Sequence, residues 1–263
     1  IREDYNRNLQ FPQSIETFDK MRRNDPQVRM VLSAVKLPIR ESDWRIQPAS
    51  DQRIDQEIAD FVDDNVMANW KDRLRQTLLF IDFGFMLWEV VEATRDDQIV
   101  WKKLGPRLPK SLDPVEPWVR DNNELQNIKQ MVFNRKTVRH EMDAGNLLRF
   151  TLNEEGDNYE GISMLRAAVK PWKIKNELNK YDAIRHERFS VGIPIVELPE
   201  NPSDDDEERA ESIAKNMRAN EQGYGILPTG SNAEILTPDT ADPTGIQESL
   251  NQYNNEIARS VIG

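Results

Sequence analysis

Residues 160–189, EGISMLRAAVKPWKIKNELNKYDAIRHERF, constrain the fold more than any other stretch of this chain. Apolar side chains recur across it at helical spacing, so it reads as one long helix. About 28 helical residues would reach roughly 40 Å, the width of a small domain. Pro171 sits inside the pattern, and an internal proline removes a helical hydrogen bond and bends the rod. Between 161 and 189 there are seven positive residues, Arg166, Lys170, Lys173, Lys175, Lys180, Arg185 and Arg188, against Glu177, Asp182 and Glu187. The chain as a whole carries a formal charge of −11. A long basic rod between short strands reads as a supporting strut. On charge alone, it is equally a solvated helix face or a surface turned toward a polyanion.

Composition narrows the function. With 263 residues, 38% hydrophobic and 31% charged, the chain is long enough for a real core but poor in apolar residues. That balance suggests an elongated shape or a surface given over to subunit contacts. The absence of cysteine excludes a disulfide framework, a thiolate zinc site and a cysteine nucleophile. The acidic balance argues against coating nucleic acid over the whole surface. The most apolar window, residues 77–91, contains Asp82 and Gly84 and is too short to span a bilayer. No signal-peptide pattern opens the chain. It begins with Ile, which leads us to expect a piece of a longer product.

The remaining pattern predicts mixed α and β structure up to about residue 158. Asp25-Pro26 starts a helix, with proline in its first turn. Trp44 and Ile46 alternate with polar neighbours and predict a strand. Residues 55–81 form the clearest amphipathic helical region, with a possible break near Asn69. FMLWEVVEAT and QIVWKKLGPRLP read as a hairpin across residues 95–97, and NIKQMVFN and NLLRFTL as further strands. Beyond the rod, VGIPIVELP predicts a strand and 203–220 a capped helix. GYGILPTGSNAEILTP predicts a pair of short strands with a turn at 229–232, and 244–262 a final amphipathic helix.

No catalytic constellation assembles. GISML begins like a nucleophile elbow but has Leu165 at the closing glycine and no preceding strand, so Ser163 reads as a helix-start residue. His140 and His186 are isolated and belong to no zinc-binding pattern. The acidic run at 203–208 lacks the alternating ligands and glycine of a calcium loop; Ser203 as cap, with acids in the first helical turn, explains it better. GYGILPTG is no phosphate loop. We therefore expect no catalytic, cofactor or metal residues, and no enzyme activity.

The order of motifs carries a resemblance. GDNYEGISMLRAAVKPWKIKNELNKYDAIRHERFSVGIPIVELP, then GYGILPTGSNAEIL, then NNEIARSVIG, together with the opening DPQVRMVLSAVKLPIRESDWRIQP, is similar to the tailed-bacteriophage portal proteins, closest to the Mu-like branch. Ser190 stands where that pattern prefers glycine.

The resemblance implies an α+β portal fold. Residues 1–158 would be a mixed α/β wing, 159–190 a first stem helix, 191–237 a small α/β clip and 238–263 a second stem helix. A channel loop and crown would lie beyond Gly263. It also implies a ring, usually of twelve copies, at the capsid vertex of the virion, assembled in the host cytoplasm. Double-stranded DNA would pass through the ring non-specifically during packaging and ejection. The implied partners are the terminase large subunit, the major capsid protein and head-tail connector or adaptor proteins, with no membrane and no cofactor. Arg166, Lys170, Lys173, Lys175 and Lys180 become candidate stem or channel bases. Ile193, Ile195, Tyr224, Ile226 and Ile235 become candidate clip residues. The alternatives are a metal-dependent nucleic-acid-processing enzyme using 204–208, or a different head-tail connector protein.

Overall fold

The computed structural model describes residues 6–67, 69–95, 97–122, 124–134, 136–191, 193–198, 202–218, 232–236 and 243–263. The chain divides into two compact units, Ile1–Trp172 with Asn255–Gly263, and Lys173–Asn254.

The first unit opens with helices α1 (Gln13–Asn24) and α2 (Pro26–Glu41). The expected start of α2 is borne out. The Asp25 carboxylate accepts from the amides of Gln27 at 2.9 Å and Val28 at 3.1 Å, and Pro26 fills the first helical position, where no donor is required. The amphipathic region also breaks where expected. Helices α3 (Arg53–Val66) and α4 (Trp70–Thr77) are separated by Asn69 in the left-handed conformation, φ 59°, a region asparagine tolerates. Helix α5 (Leu79–Phe83) leads into the sheet.

Two three-stranded antiparallel sheets follow. Strands β1 (Phe85–Arg95) and β2 (Gln98–Arg107) form the expected hairpin, with Asp97 at φ 61° in its turn. Strands β3 (Trp118–Asp121), β4 (Glu124–Asn134) and β5 (Lys136–Asp143) make the second sheet in that order. β6 (Leu147–Thr151) returns to the other edge of β1. The first four residues of β1 are buried, as expected for a central strand whose neighbours cover both faces. Of these, Phe85 and Leu87 meet Ile15, Phe18 and Met21 of α1 and Val28 and Val31 of α2 in one core.

The strand expected around Trp44 and Ile46 is absent: residues 42–48 have no regular structure. Trp44 instead packs edge-on against Trp70, with ring centroids 5.4 Å apart, and its indole N–H donates to the Ile39 carbonyl at 3.1 Å. A tertiary contact, not strand pairing, holds this stretch extended.

Helix α6 (Val169–Val191) starts later than its pattern predicts. The second unit contains most of α6, strand β7 (Ile193–Glu197), helix α7 (Asp204–Arg218), strand β8 (Asn232–Leu236) and the first part of helix α8 (Pro243–Ile262). β7 and β8 pair antiparallel, Ile193 opposite Leu236 and Glu197 opposite Asn232, and α7 packs on β7. The other strand expected for that region, 224–227, and its turn at 229–231 lie outside the described residues.

Candidate functional site

The start of α6 is set by a crossing of main chains, not by the sequence of the helix itself. Gly84, φ +95°, follows α5, and Gly161, φ +59°, precedes α6. A Cβ on Gly84 would lie 2.4 Å from the Glu160 carbonyl oxygen. One on Gly161 would lie 2.3 Å from the Leu152 oxygen and 2.7 Å from the Gly84 oxygen. Only glycine meets both the sign of φ and the spacing. Hydrogen bonds pin the crossing: the Leu152 amide donates to Gly84 at 2.7 Å, Ile162 to Leu152 at 2.8 Å, and Met164 to Ile81 at 3.1 Å.

Residues 163–168 then form tight turns rather than helix. The Ser163 hydroxyl donates to the Asp82 carbonyl at 2.6 Å and accepts from the Leu165 amide at 3.0 Å. Ser163 therefore organises a turn ahead of the helix and does not cap it. Pro171 becomes the third residue of α6, where its missing N–H leaves no internal bond unmade. The expected kink has no cause. The helix has 23 residues, or about 35 Å.

Aromatic and guanidinium groups hold the preceding loop. The guanidinium carbons of Arg120 and Arg149 lie over the Tyr159 ring at 4.6 and 4.9 Å. Trp118 packs 5.6 Å from that ring and donates to the Glu160 carboxylate at 3.2 Å.

Beneath the crossing lies a buried ion cluster. Asp82, 1% exposed, pairs with Lys36 from α2, and Arg22 of α1 stands 3.9 Å away. Burial pushes the Asp82 carboxyl up despite Lys36, and pushes the Lys36 ammonium down despite Asp82. Burial also acts to raise Asp19, but hydrogen bonds from Arg23 and Arg22 outweigh it and hold that carboxyl below its ordinary value. The cluster ties α1, α2 and α5 together. Its charges were visible in the sequence, but no local spacing links Lys36 to Asp82.

The five candidate bases separate by environment. Arg166 is half-buried and donates to the Leu9 carbonyl at 3.4 Å. Lys175 is 8% exposed and donates to Asn254 of α8 at 3.0 Å, so it serves packing between helices. Lys180 is exposed but pairs with Glu177 at 2.7 Å. Lys170 and Lys173 are exposed and, among the described residues, form no ion pair. They are the two members of the set that are both exposed and without an ion pair among the described residues.

Of the candidate clip residues, Ile195 lies on β7, 40% exposed, while Ile193 and Ile235 take their places in the β7–β8 ladder. Tyr224 and Ile226 lie outside the described residues. Asp206 of the acidic run accepts from both the Ser203 amide, at 3.1 Å, and its hydroxyl, at 2.7 Å. The Asp206 amide donates back to Ser203 Oγ at 3.3 Å. This is a reciprocal helix cap, with the remaining acids at the positive end of α7. Among the described residues no three His, Cys, Asp or Glu side chains are placed to hold a metal ion. His140 lines a shallow pocket of about 190 Å³ with Asp113 and Arg139, and His186 lies 3.5 Å from Asp182. No described helix is long and apolar enough to cross a membrane.

A family model described as "Portal protein of Mu bacteriophage" matches residues 15–263. The chain belongs to this portal-protein family. Its fold is similar to a chain in the neck of an empty gene transfer agent particle, with a TM-score of 0.61 and 13% identity over 93% of this chain and 68% of that one. It is also similar to a chain in the virion of a native gene transfer agent particle, with a TM-score of 0.54 and 13% identity over 93% and 67%. A portal protein of the HK97 family from Corynebacterium diphtheriae matches with a TM-score of 0.48 and 15% identity over 89% and 72%. At 13% identity, the first two likenesses show a shared fold.

In this portal protein, the glycine crossing, the Tyr159 clamp and the buried Asp82 cluster all fix one point, the end of the chain segment from which α6 departs. Sequence reasoning found the long basic helix and missed what positions it. The signal was a pair of glycines, Gly84 after an apolar helix end and Gly161 before GISML, each followed by an abrupt change of pattern.

Proposed function

We propose that copies of this chain form a closed ring, of twelve subunits, at the capsid vertex. Double-stranded DNA passes through the ring during packaging and ejection. In this reading 1–158 form the wing, 159–190 and 238–263 the stem, and 191–237 the clip. The clip meets the terminase large subunit and later the head-tail connector proteins, and the ring seats against the major capsid protein in the virion. Assembly takes place in the host cytoplasm. The protein does no chemistry of its own. The family match across residues 15–263 carries this reading.

The electrostatics suit a conduit. Each lysine bound to a phosphate contributes a salt-dependent affinity that must be broken as the duplex advances. A chain of net charge −11, with two exposed lysines near the start of α6 that form no ion pair among the described residues, offers orientation without a tight grip. Electron-microscopic class averages of the purified protein provide the test. The expected result is a rotationally symmetric ring with a central opening wide enough for a duplex. Solid particles or isolated monomers would overturn it.

A further inference from the structure

Two helices of the first unit leave apolar stripes uncovered, with opposite charge beside them. On α2, Val28, Val31 and Leu32 face the core, while Met30 (58% exposed), Ala34 and Leu37 (52%) run along the outer side at i, i+4, i+7 spacing. Arg29 and Arg40 flank that stripe. On α3, Ile54 (56% exposed) and Ile58 (54%) continue one face with half-buried Phe61 and Val62, and only Ala59 of the whole helix is buried. Asp60 and Asp64 flank it, in a helix with five acids and one base; Glu57 beside them is already paired with that base, Arg53, at 2.6 Å. Among the described residues, no ion pair involves Arg29, Arg40, Asp60 or Asp64.

We propose that the outer stripe of α2 in one subunit packs against the α3 stripe of the next, with Arg29 and Arg40 facing Asp60 and Asp64. The occupant of each face is a second copy of this chain. The two faces differ in residues and in charge sign, so the contact is heterologous: each subunit offers α2 to one neighbour and α3 to the other, the arrangement that closes rings. Opposite charges beside an apolar seam favour this pairing over α2 on α2 or α3 on α3, each of which would bring like charges together. The proposal rests on the ring reading above and adds the surfaces that make the ring.

The chain has no cysteine, so cross-linking reports only introduced pairs. Met30→Cys and Ile58→Cys replace exposed side chains, and thermal melts matching the wild type establish that each variant folds. When the two single variants are assembled together and treated with a flexible bis-maleimide, a covalent dimer is expected. The double variant Met30→Cys/Ile58→Cys is expected to give a ladder ending at the full ring. Either single variant dimerising efficiently alone would show a self-complementary contact and overturn the proposal. Intact rings with no cross-link in the mixture would overturn this interface and leave the ring reading standing. Wild-type protein that stays monomeric at micromolar concentration would overturn both.

Discussion

Replacing Gly161 with alanine tests the crossing that launches α6. The added methyl would sit 2.3 Å from the Leu152 oxygen, 2.7 Å from the Gly84 oxygen and 2.7 Å from Thr151 Cγ2. Both carbonyls are already accepting the amides that hold the crossing, Ile162 on Leu152 and Leu152 on Gly84. The strands therefore cannot move apart without lengthening those bonds. The left-handed backbone costs alanine about 1–2 kcal/mol, relief of the overlap about 1–3 kcal/mol, and a weakened buried hydrogen bond about 1 kcal/mol. A loss of roughly 3–6 kcal/mol follows from those three sources. Gly156→Ala is an internal control. Its φ is +56°, but a methyl there would meet nothing within 4 Å, so it bears only the backbone cost of about 1–2 kcal/mol. Urea unfolding of both variants and the wild type at one protein concentration gives the comparison. If Gly161→Ala loses no more stability than Gly156→Ala, the close crossing is not what positions the helix.

Other perturbations address the cluster, the second sheet and the basic face. Asp82→Ala strands Lys36 beside an apolar core, while Arg22 keeps Asp19 at 2.7 Å, and is expected to cost about 3–5 kcal/mol in urea unfolding; a loss below about 1 kcal/mol would show the pair to be incidental. Burial acts to raise the Asp113 carboxyl, but the Val115 and Glu116 amides and Arg139 outweigh it and hold the carboxyl below its ordinary value of 3.8. Its contribution is therefore present above that value and lost as pH falls through the folded-state pKa. Asp113→Asn should flatten the fall in stability below pH 4, and an unchanged acid limb would contradict the assignment. Reversing Lys170 and Lys173 to Glu should weaken low-salt binding of a short duplex and lower its salt slope by about 0.9 per lost phosphate contact. Lys180→Ala should change it less, because Glu177 already neutralises that lysine, and equal effects would refute the division of the bases.

Elements with local causes were legible in the sequence. Asp25-Pro26 names a helix start because its carboxylate and its ring act within three residues. Asn69 and Asp97 mark a break and a turn because their side chains tolerate positive φ. The start of α6 was not legible, because apolar spacing continues unbroken through 162–168 while the crossing at Gly84 and Gly161 imposes turns there. Trp44 and Ile46 alternate like a strand, yet Trp70 and the Ile39 carbonyl, not a neighbouring strand, hold that segment. β3 and β5 went unread: the first is four residues long and the second, KTVRHEMD, is largely polar on an exposed sheet edge. In the candidate site, charge was readable but accessibility was not. Nothing near Lys175 in the sequence announces Asn254, 79 positions away.

The central claim is that this chain works as a closed ring around DNA, and native mass spectrometry of the purified assembly tests it most directly. The account predicts one dominant species at twelve times the mass of the polypeptide, stable on dilution. A monomer, a dimer, or an open series of masses without a preferred closed number would contradict it.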